Sequence, residues 1–115
     1  MKSITRILNA FKYSFDGLAS VFKSEPAFRQ ELLLFVVGTV AAVLLPIGWI
    51  ATALLIAALG LILMAELVNT AIETVVDRIS TDRHALSKKA KDIGSALVLL
   101  AFINAGIIWA MALIP

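Results

Sequence analysis

The feature that most constrains this sequence is the separation of its charged residues from its apolar ones. All 10 Lys and Arg residues and all 8 Asp and Glu residues lie within 1–31 or 66–92. The two remaining blocks, 32–65 and 93–115, contain no charged residue, and 61% of the chain is hydrophobic. Because a helix needs about 20 apolar residues to cross a hydrocarbon core of about 30 Å, the sequence predicts a helical membrane protein.

The two apolar blocks differ in length. The second is long enough for one transmembrane helix, and the first is long enough for two helices separated by a tight turn. Pro46-Ile47-Gly48 supplies that turn, because Pro lacks a backbone N–H and Gly tolerates turn geometry. We therefore predict an all-α fold in which residues 1–115 form a single membrane domain. The predicted transmembrane helices cover about 27–45, 49–79 and 89–113.

Residues 1–24 have a different pattern from the predicted spans. Apolar side chains recur every three or four positions, and basic or polar side chains take the other side of the helix. This pattern predicts an amphipathic helix with a basic face, which suits the surface of a membrane. Packing of the same apolar stripe against the spans is the alternative. Ser24-Glu25-Pro26 then predicts a corner, because Pro disfavours helix at the residue before it.

The basic residues indicate the topology and exclude one class of partner. Lys and Arg occur before the first span and between the second and third spans, but not in the 46–48 turn or after Ile93. The positive-inside rule therefore places the N-terminus and residues 78–91 in the cytoplasm. A net charge of +2 is too small to indicate a nucleic-acid partner.

A row of polar side chains lies at the end of the second predicted span. Glu66, Asn69, Glu73 and Asp77 are spaced three or four residues apart, so they share one stripe of a helix. Glu66 lies about 25 Å along that helix from Trp49, just inside the cytoplasmic boundary of the hydrocarbon. Ionisable residues at such a depth mark functional sites. Asp77, the furthest from the membrane, is equally consistent with a solvated residue that pairs with an Arg or Lys.

This stripe suits the phosphorylation of a lipid. A carboxylate at the boundary can reach a lipid hydroxyl, whereas those one or two turns further out can meet a soluble, charged reagent. No Gly-Lys-Ser/Thr triplet is present, so a nucleotide site would be built from side chains at helix ends. A small transporter or a membrane scaffold is the alternative from another class. A transporter is expected to have ionisable residues near the midplane, whereas all of those here lie towards one side.

Three segments carry a resemblance to a known family. Ala65–Ser80, Glu25–Glu31 and His84–Ala96 resemble the small integral-membrane bacterial diacylglycerol kinases, and the match extends from about Arg6 to Trp109. The resemblance implies ATP-dependent phosphorylation of diacylglycerol to phosphatidic acid at the cytoplasmic face of the bacterial inner membrane. It also implies a homotrimer with composite active sites, in which each subunit has three transmembrane helices and an N-terminal amphipathic surface helix. Phosphorylation of undecaprenol on the same scaffold is the alternative.

The resemblance also assigns roles to individual residues. The general base falls on Glu66, with Asn69 beside it, and the carboxylates that hold Mg²⁺ on ATP fall on Glu25 and Glu73. The implied nucleotide contacts are Arg6, Tyr13, Glu25, Glu73, Asp82, Arg83, His84, Lys91 and Asp92. The implied contacts with the lipid substrate are Arg6, Ser14, Ala27, Phe28, Arg29, Gln30, Glu31, Glu66, Ser95 and Trp109.

Overall fold

The computed structural model describes residues 2–115, and all of the regular structure in this range is helical. Its four helices are α1 (Lys2–Ser24), α2 (Pro26–Leu44), α3 (Trp49–Ile79) and α4 (Ala85–Leu113). Helices α2, α3 and α4 are each long and apolar enough to cross a membrane. The predicted all-α class and its three long apolar helices are therefore confirmed.

The corner between α1 and α2 is stabilised by an arginine. Pro26 is the first residue of α2, and Glu25 before it has an extended backbone, as expected for a residue that precedes Pro. The guanidinium of Arg29 donates to the carbonyl oxygens of Phe22 at 2.7 Å and Lys23 at 3.1 Å. The last carbonyls of a helix lack partners within the helix, so Arg29 caps α1 instead of pairing with Glu25.

The turn between α2 and α3 depends on a glycine. Gly48 precedes α3 and has a φ of 83°, a conformation that residues with a Cβ adopt only with strain. The Thr52 hydroxyl donates to the Gly48 carbonyl oxygen at 2.9 Å, which fixes the first turn of α3 to the residue before it.

Helix α4 begins earlier than the sequence pattern predicts. Its first residue is Ala85 rather than residue 89, because His84 acts as the N-cap. The Nδ1 atom of His84 accepts a hydrogen bond from the backbone N–H of Leu86 at 3.0 Å, which satisfies one of the free donors at the start of a helix. The predicted span, about 89–113, lies within α4, and residues 85–88 add one more helical turn before it.

The core lies where α3 packs against α2 and α4. Its buried residues are small or branched apolar side chains, with two alanines on α4 that let the helices approach closely; they are Ala58, Leu59, Ile62, Ala65, Ala101 and Ala105. Helix α1 packs lightly against α2, and none of the described residues of α1 is buried. The bundle is therefore formed by the three apolar helices.

A tryptophan joins the three helices at the end of the core near the α2–α3 turn. The indole Nε1 of Trp109 on α4 donates to the Leu55 carbonyl oxygen on α3 at 3.2 Å. A Cβ added at Gly38 on α2 would lie 3.6 Å from the Trp109 ring and would collide with the side chain of Leu59. Gly38 thus lets α2 approach both of its neighbours at this level.

Candidate active site

The site is built around a carboxylate that the helices bury. Glu66 on α3 is only 6% exposed, and its carboxyl group faces that of Glu31 on α2. The Oε2 atom of Glu31 is buried without a hydrogen-bond partner. Burying an unpaired polar group is costly. The Glu66 and Glu31 carboxyl groups are therefore not simply part of a solvated helix surface. Glu31, which follows the α1–α2 corner, therefore lies beside Glu66.

The next turn of α3 carries an amide and a second carboxylate. The Asn69 amide nitrogen donates to Oε1 of Glu73 at 3.3 Å, which links two residues one turn apart. The other end of the amide, Oδ1 of Asn69, is buried without a partner and faces Gly94 on α4. Gly94 was not identified from the sequence, because only the packing of α4 against α3 brings it to Asn69.

Two ion pairs lie one to two turns further along, outside the core. The ammonium of Lys91 on α4 is 2.7 Å from Oδ1 of Asp77 on α3. Lys88 lies 2.6 Å from Asp92, four residues further along α4. The first pair settles the question of how Asp77 is partnered, and the second follows the i,i+4 spacing that a sequence can reveal.

A cleft opens between the end of α3 and the start of α4. Its volume is about 590 Å³. Asp77 lines it. So do five residues that the family resemblance assigns to the nucleotide: Asp82, Arg83, His84, Lys91 and Asp92. The cleft combines cationic groups, which suit phosphate, with acidic groups that accept hydrogen bonds.

The three candidate residues on α1 lie elsewhere within this chain. Arg6 and Tyr13 line a separate groove of about 580 Å³ whose lining residues are all on α1. The Ser14 hydroxyl donates to the Ala10 carbonyl oxygen at 2.8 Å, one turn earlier. A single chain thus does not bring its α1 residues to the cleft between α3 and α4.

The remaining lipid candidates have three different environments. Within the 27–31 corner, Phe28 is buried at 4% exposure, whereas Ala27 and Gln30 are exposed. Ser95 is exposed on α4 immediately after Gly94, near the level of Asn69. Trp109 contacts the Leu55 carbonyl oxygen, which lies about 16 Å along α3 from Glu66 at 1.5 Å per residue. The structure therefore does not bring Trp109 to the acidic stripe.

The two carboxylates that the resemblance assigns to a metal lie near the buried Glu66. Glu25 and Glu73 are both close enough to Glu66 to affect it electrostatically. Within residues 2–115 no three His, Cys, Asp or Glu side chains converge in a geometry that would hold a metal ion. The oxygen donors nevertheless suit Mg²⁺, which is commonly bound through one or two carboxylates, with water and phosphate oxygens as the other ligands.

The fold and the site together define a small helical membrane protein whose polar groups gather at one end of an apolar bundle. Residues 12–113 match the sequence profile of the prokaryotic diacylglycerol kinases. The chain is 47% identical over 111 residues to a diacylglycerol kinase of Pseudomonas aeruginosa, with 96% of this chain and 90% of the relative covered. It is 45% identical over 112 residues to that of Haemophilus influenzae, covering 92% and 90%, and 45% identical over 109 residues to that of Escherichia coli, covering 95% and 89%. This chain belongs to the prokaryotic diacylglycerol kinase family, as its sequence motifs predicted.

Proposed function

We propose that this protein transfers the γ-phosphoryl group of ATP to diacylglycerol and so forms phosphatidic acid. The observation that carries the proposal is Glu66, a carboxylate only 6% exposed on a helix that is long and apolar enough to cross a membrane. Relatives named diacylglycerol kinase, at 45–47% identity, support the lipid substrate. Membership of a kinase family supports ATP as the donor.

Glu66 is the proposed general base. Its carboxylate accepts the proton of the free lipid hydroxyl. The hydroxyl oxygen forms a bond to the γ-phosphorus of ATP, while the bond from that phosphorus to the β–γ bridging oxygen breaks and ADP leaves. Asn69, one turn along α3, lies beside the attacking hydroxyl in this scheme. Glu66 is only 6% exposed, and in this scheme its carboxylate lies at the depth that a lipid hydroxyl reaches.

Glu25 and Glu73 are the proposed ligands of Mg²⁺. When bound with ATP, Mg²⁺ neutralises charge on the phosphate oxygens. The hydrogen bond of 3.3 Å from the Asn69 amide orients the Glu73 carboxylate about two turns beyond the proposed base. Helix α3 thereby holds the base and one metal carboxylate in a fixed relation.

The cleft between α3 and α4 is the proposed site for the phosphates of ATP. Lys91 lines it and is placed there by its contact with Asp77. Asp82, Arg83, His84 and Asp92 complete this part of the proposed site, and its cationic members suit phosphate oxygens.

The proposed lipid contacts gather around Glu66 and extend along the bundle. Those nearest the base are Glu31, whose carboxyl group faces Glu66, and Ser95 on the exposed side of α4. The others in this proposal are Arg6, Ser14, Ala27, Phe28, Arg29, Gln30 and Trp109. In this arrangement the diacylglycerol hydroxyl points towards Glu66 and its acyl chains lie along the apolar helices.

The active unit is proposed to be a membrane-embedded homotrimer with composite sites. Two observations support shared sites. Arg6 and Tyr13 line a groove on α1 apart from the nucleotide cleft of their own chain, and none of the described residues of α1 is buried. In this proposal α1 is an amphipathic helix that lies on the membrane surface, where its Arg6 and Tyr13 reach the cleft of a neighbouring subunit.

The protein is proposed to lie in the bacterial inner membrane as one membrane domain, with its N-terminus and residues 78–91 in the cytoplasm. The distribution of Lys and Arg supports this orientation. It places the nucleotide cleft on the side where ATP is available.

The activity is tested with purified protein in mixed micelles. Transfer of radiolabel from ATP is measured to diacylglycerol and, in parallel, to undecaprenol. We expect rapid labelling of diacylglycerol and little labelling of undecaprenol. Preferential labelling of undecaprenol would reassign the substrate, and no labelling of either lipid by an assembled protein would overturn the proposal.

A further inference from the structure

The position of Gly94 is the observation from which a further inference follows. Gly94 is buried in α4 and faces Asn69 and Ile72 of α3. A Cβ added at Gly94 would collide with Oδ1 of Asn69 and would lie 3.3 Å from its Cγ and 3.4 Å from Cδ1 of Ile72. The Asn69 amide therefore occupies the space that any other residue at position 94 would fill.

The two ends of the Asn69 amide have different neighbours. Its nitrogen donates to Glu73 at 3.3 Å, whereas Oδ1 is buried against Gly94 without a hydrogen-bond partner. If Oδ1 is pushed away from α4, the amide must rotate or shift as a unit, because it is planar. Such a shift also moves the Asn69 nitrogen that donates to the Glu73 carboxylate.

We propose that Gly94 is a positioning residue for Asn69. The absence of a side chain at position 94 sets where the Asn69 amide lies between α3 and α4, and through that amide it sets the orientation of Glu73. This inference rests on the proposed function, which places Asn69 and Glu73 in the active site. Gly94 itself contacts no reacting atom in this scheme.

Two other helical glycines provide control variants that distinguish this role from simple packing. A Cβ at Gly106, also on α4, would meet nothing within 4 Å. A Cβ at Gly38 on α2 would collide only with the flexible end of Leu59, which is apolar core. Gly106→Ala is therefore the control for a methyl group on the same helix, and Gly38→Ala is the control for a tight contact without a polar residue.

The main test is the steady-state kinetics of Gly94→Ala in mixed micelles. A displacement of about 1 Å in a reacting group can cost about 100-fold in rate, so we expect kcat to fall by about 10- to 100-fold. We expect the apparent KM for MgATP to rise by no more than a few-fold, because Glu73 is turned but keeps its charge, and Lys91 and the cleft are unaffected. Gly106→Ala should keep wild-type kcat, and Gly38→Ala should keep kcat even where its melting temperature falls. If Gly94→Ala keeps kcat within about twofold of wild type, or if KM rises as much as kcat falls, the inference is wrong.

The melting temperature of a double variant tests the same inference. Alanine is a better helix former than glycine, so any loss of thermal stability in Gly94→Ala reflects a contact and not helix propensity. Asn69→Ala removes the atoms that collide. We expect Gly94→Ala to lower the melting temperature in the wild-type background and to leave it unchanged or raise it in the Asn69→Ala background. If the double variant loses stability as the single one does, or if neither background loses any, the methyl group does not act through Asn69.

The two layers of the argument fail in distinguishable ways. Asn69→Ala with wild-type turnover would overturn the proposed role of Asn69, whatever Gly94 does. Loss of turnover in Asn69→Ala together with normal kcat in Gly94→Ala would overturn the positioning role alone.

Discussion

The ammonium of Lys91 on α4 lies 2.7 Å from a carboxylate oxygen of Asp77 on α3. Both side chains are about half exposed, at 42% and 50%, and pairs between exposed groups add little to stability. The pair acts instead on geometry, because it fixes where a cationic group points at the mouth of the cleft. Asp77 is therefore paired with Lys91, and we expect it to affect nucleotide binding through that contact.

Asp77→Asn should therefore raise the apparent KM for MgATP by a few-fold, with a smaller effect on kcat than either Glu66→Gln or Glu73→Gln. Its melting temperature should stay near that of the wild type. Initial rates over a range of MgATP concentrations check this. An unchanged KM would mean that Lys91 needs no partner to reach the phosphates.

Glu66→Gln should lower kcat by about 100- to 10,000-fold, because glutamine keeps the size of the side chain but cannot accept the proton. The apparent affinity for MgATP should change little. Oligomer size must match the wild type before rates are compared, because loss of a buried polar partner can also disturb assembly. Near-normal turnover on diacylglycerol would show that Glu66 is not the base.

Glu73→Gln should weaken apparent MgATP affinity and lower turnover together, because it removes a negative charge that faces the metal. Raising the concentration of free Mg²⁺ should recover part of the lost rate. Rates measured in a Mg²⁺ titration at fixed ATP check this. A Mg²⁺ dependence identical to that of the wild type would exclude Glu73 from the metal site.

Two inactive variants should complement each other if sites are shared between subunits. An inactive Glu66→Gln chain mixed with an impaired Arg6→Ala chain should regain activity, because in some mixed sites Glu66 and the Arg6 of the neighbouring subunit are both intact. Dissociation and reassembly of tagged chains, followed by an activity assay, check this. If mixed oligomers form but stay inactive, each site lies within one chain.

Reporter fusions test the orientation in the membrane. Reporters at Gly48 and Pro115 should be active only outside the cytoplasm, because no Lys or Arg lies in the 46–48 turn or after Ile93. Cytoplasmic activity at either position would contradict the three-span topology.

The sequence predicted the helices because charge and hydropathy are local properties. A charge-free block of 34 residues with Pro46 and Gly48 inside it predicts two spans, and the structure has α2 and α3 on either side of that turn. Hydropathy predicted a span from about residue 89 but not the extra helical turn at 85–88, because that turn has no apolar pattern. His84 reveals the start only through the hydrogen bond from Leu86.

The partners across helices were harder to predict. The stripe from Glu66 to Asp77 follows from helical spacing, but the choice of Asp77 for Lys91 depends on how α3 and α4 are aligned. The same alignment places Gly94 against Asn69. Arg29 was expected beside the lipid or Glu25, and its bonds to the Phe22 and Lys23 carbonyls depend on the angle of the corner.

Trp109, whose indole donates to the Leu55 carbonyl oxygen, can serve as an intrinsic fluorescence probe. Trp49, the other tryptophan, is 80% exposed at the start of α3, whereas Trp109 is half-buried where three helices meet. In a Trp49→Phe chain all indole emission would come from that junction, because the sequence has 2 tryptophans. The junction lies about 16 Å along α3 from Glu66. A change in emission on addition of nucleotide would then report movement transmitted along α3, not direct contact with the ligand.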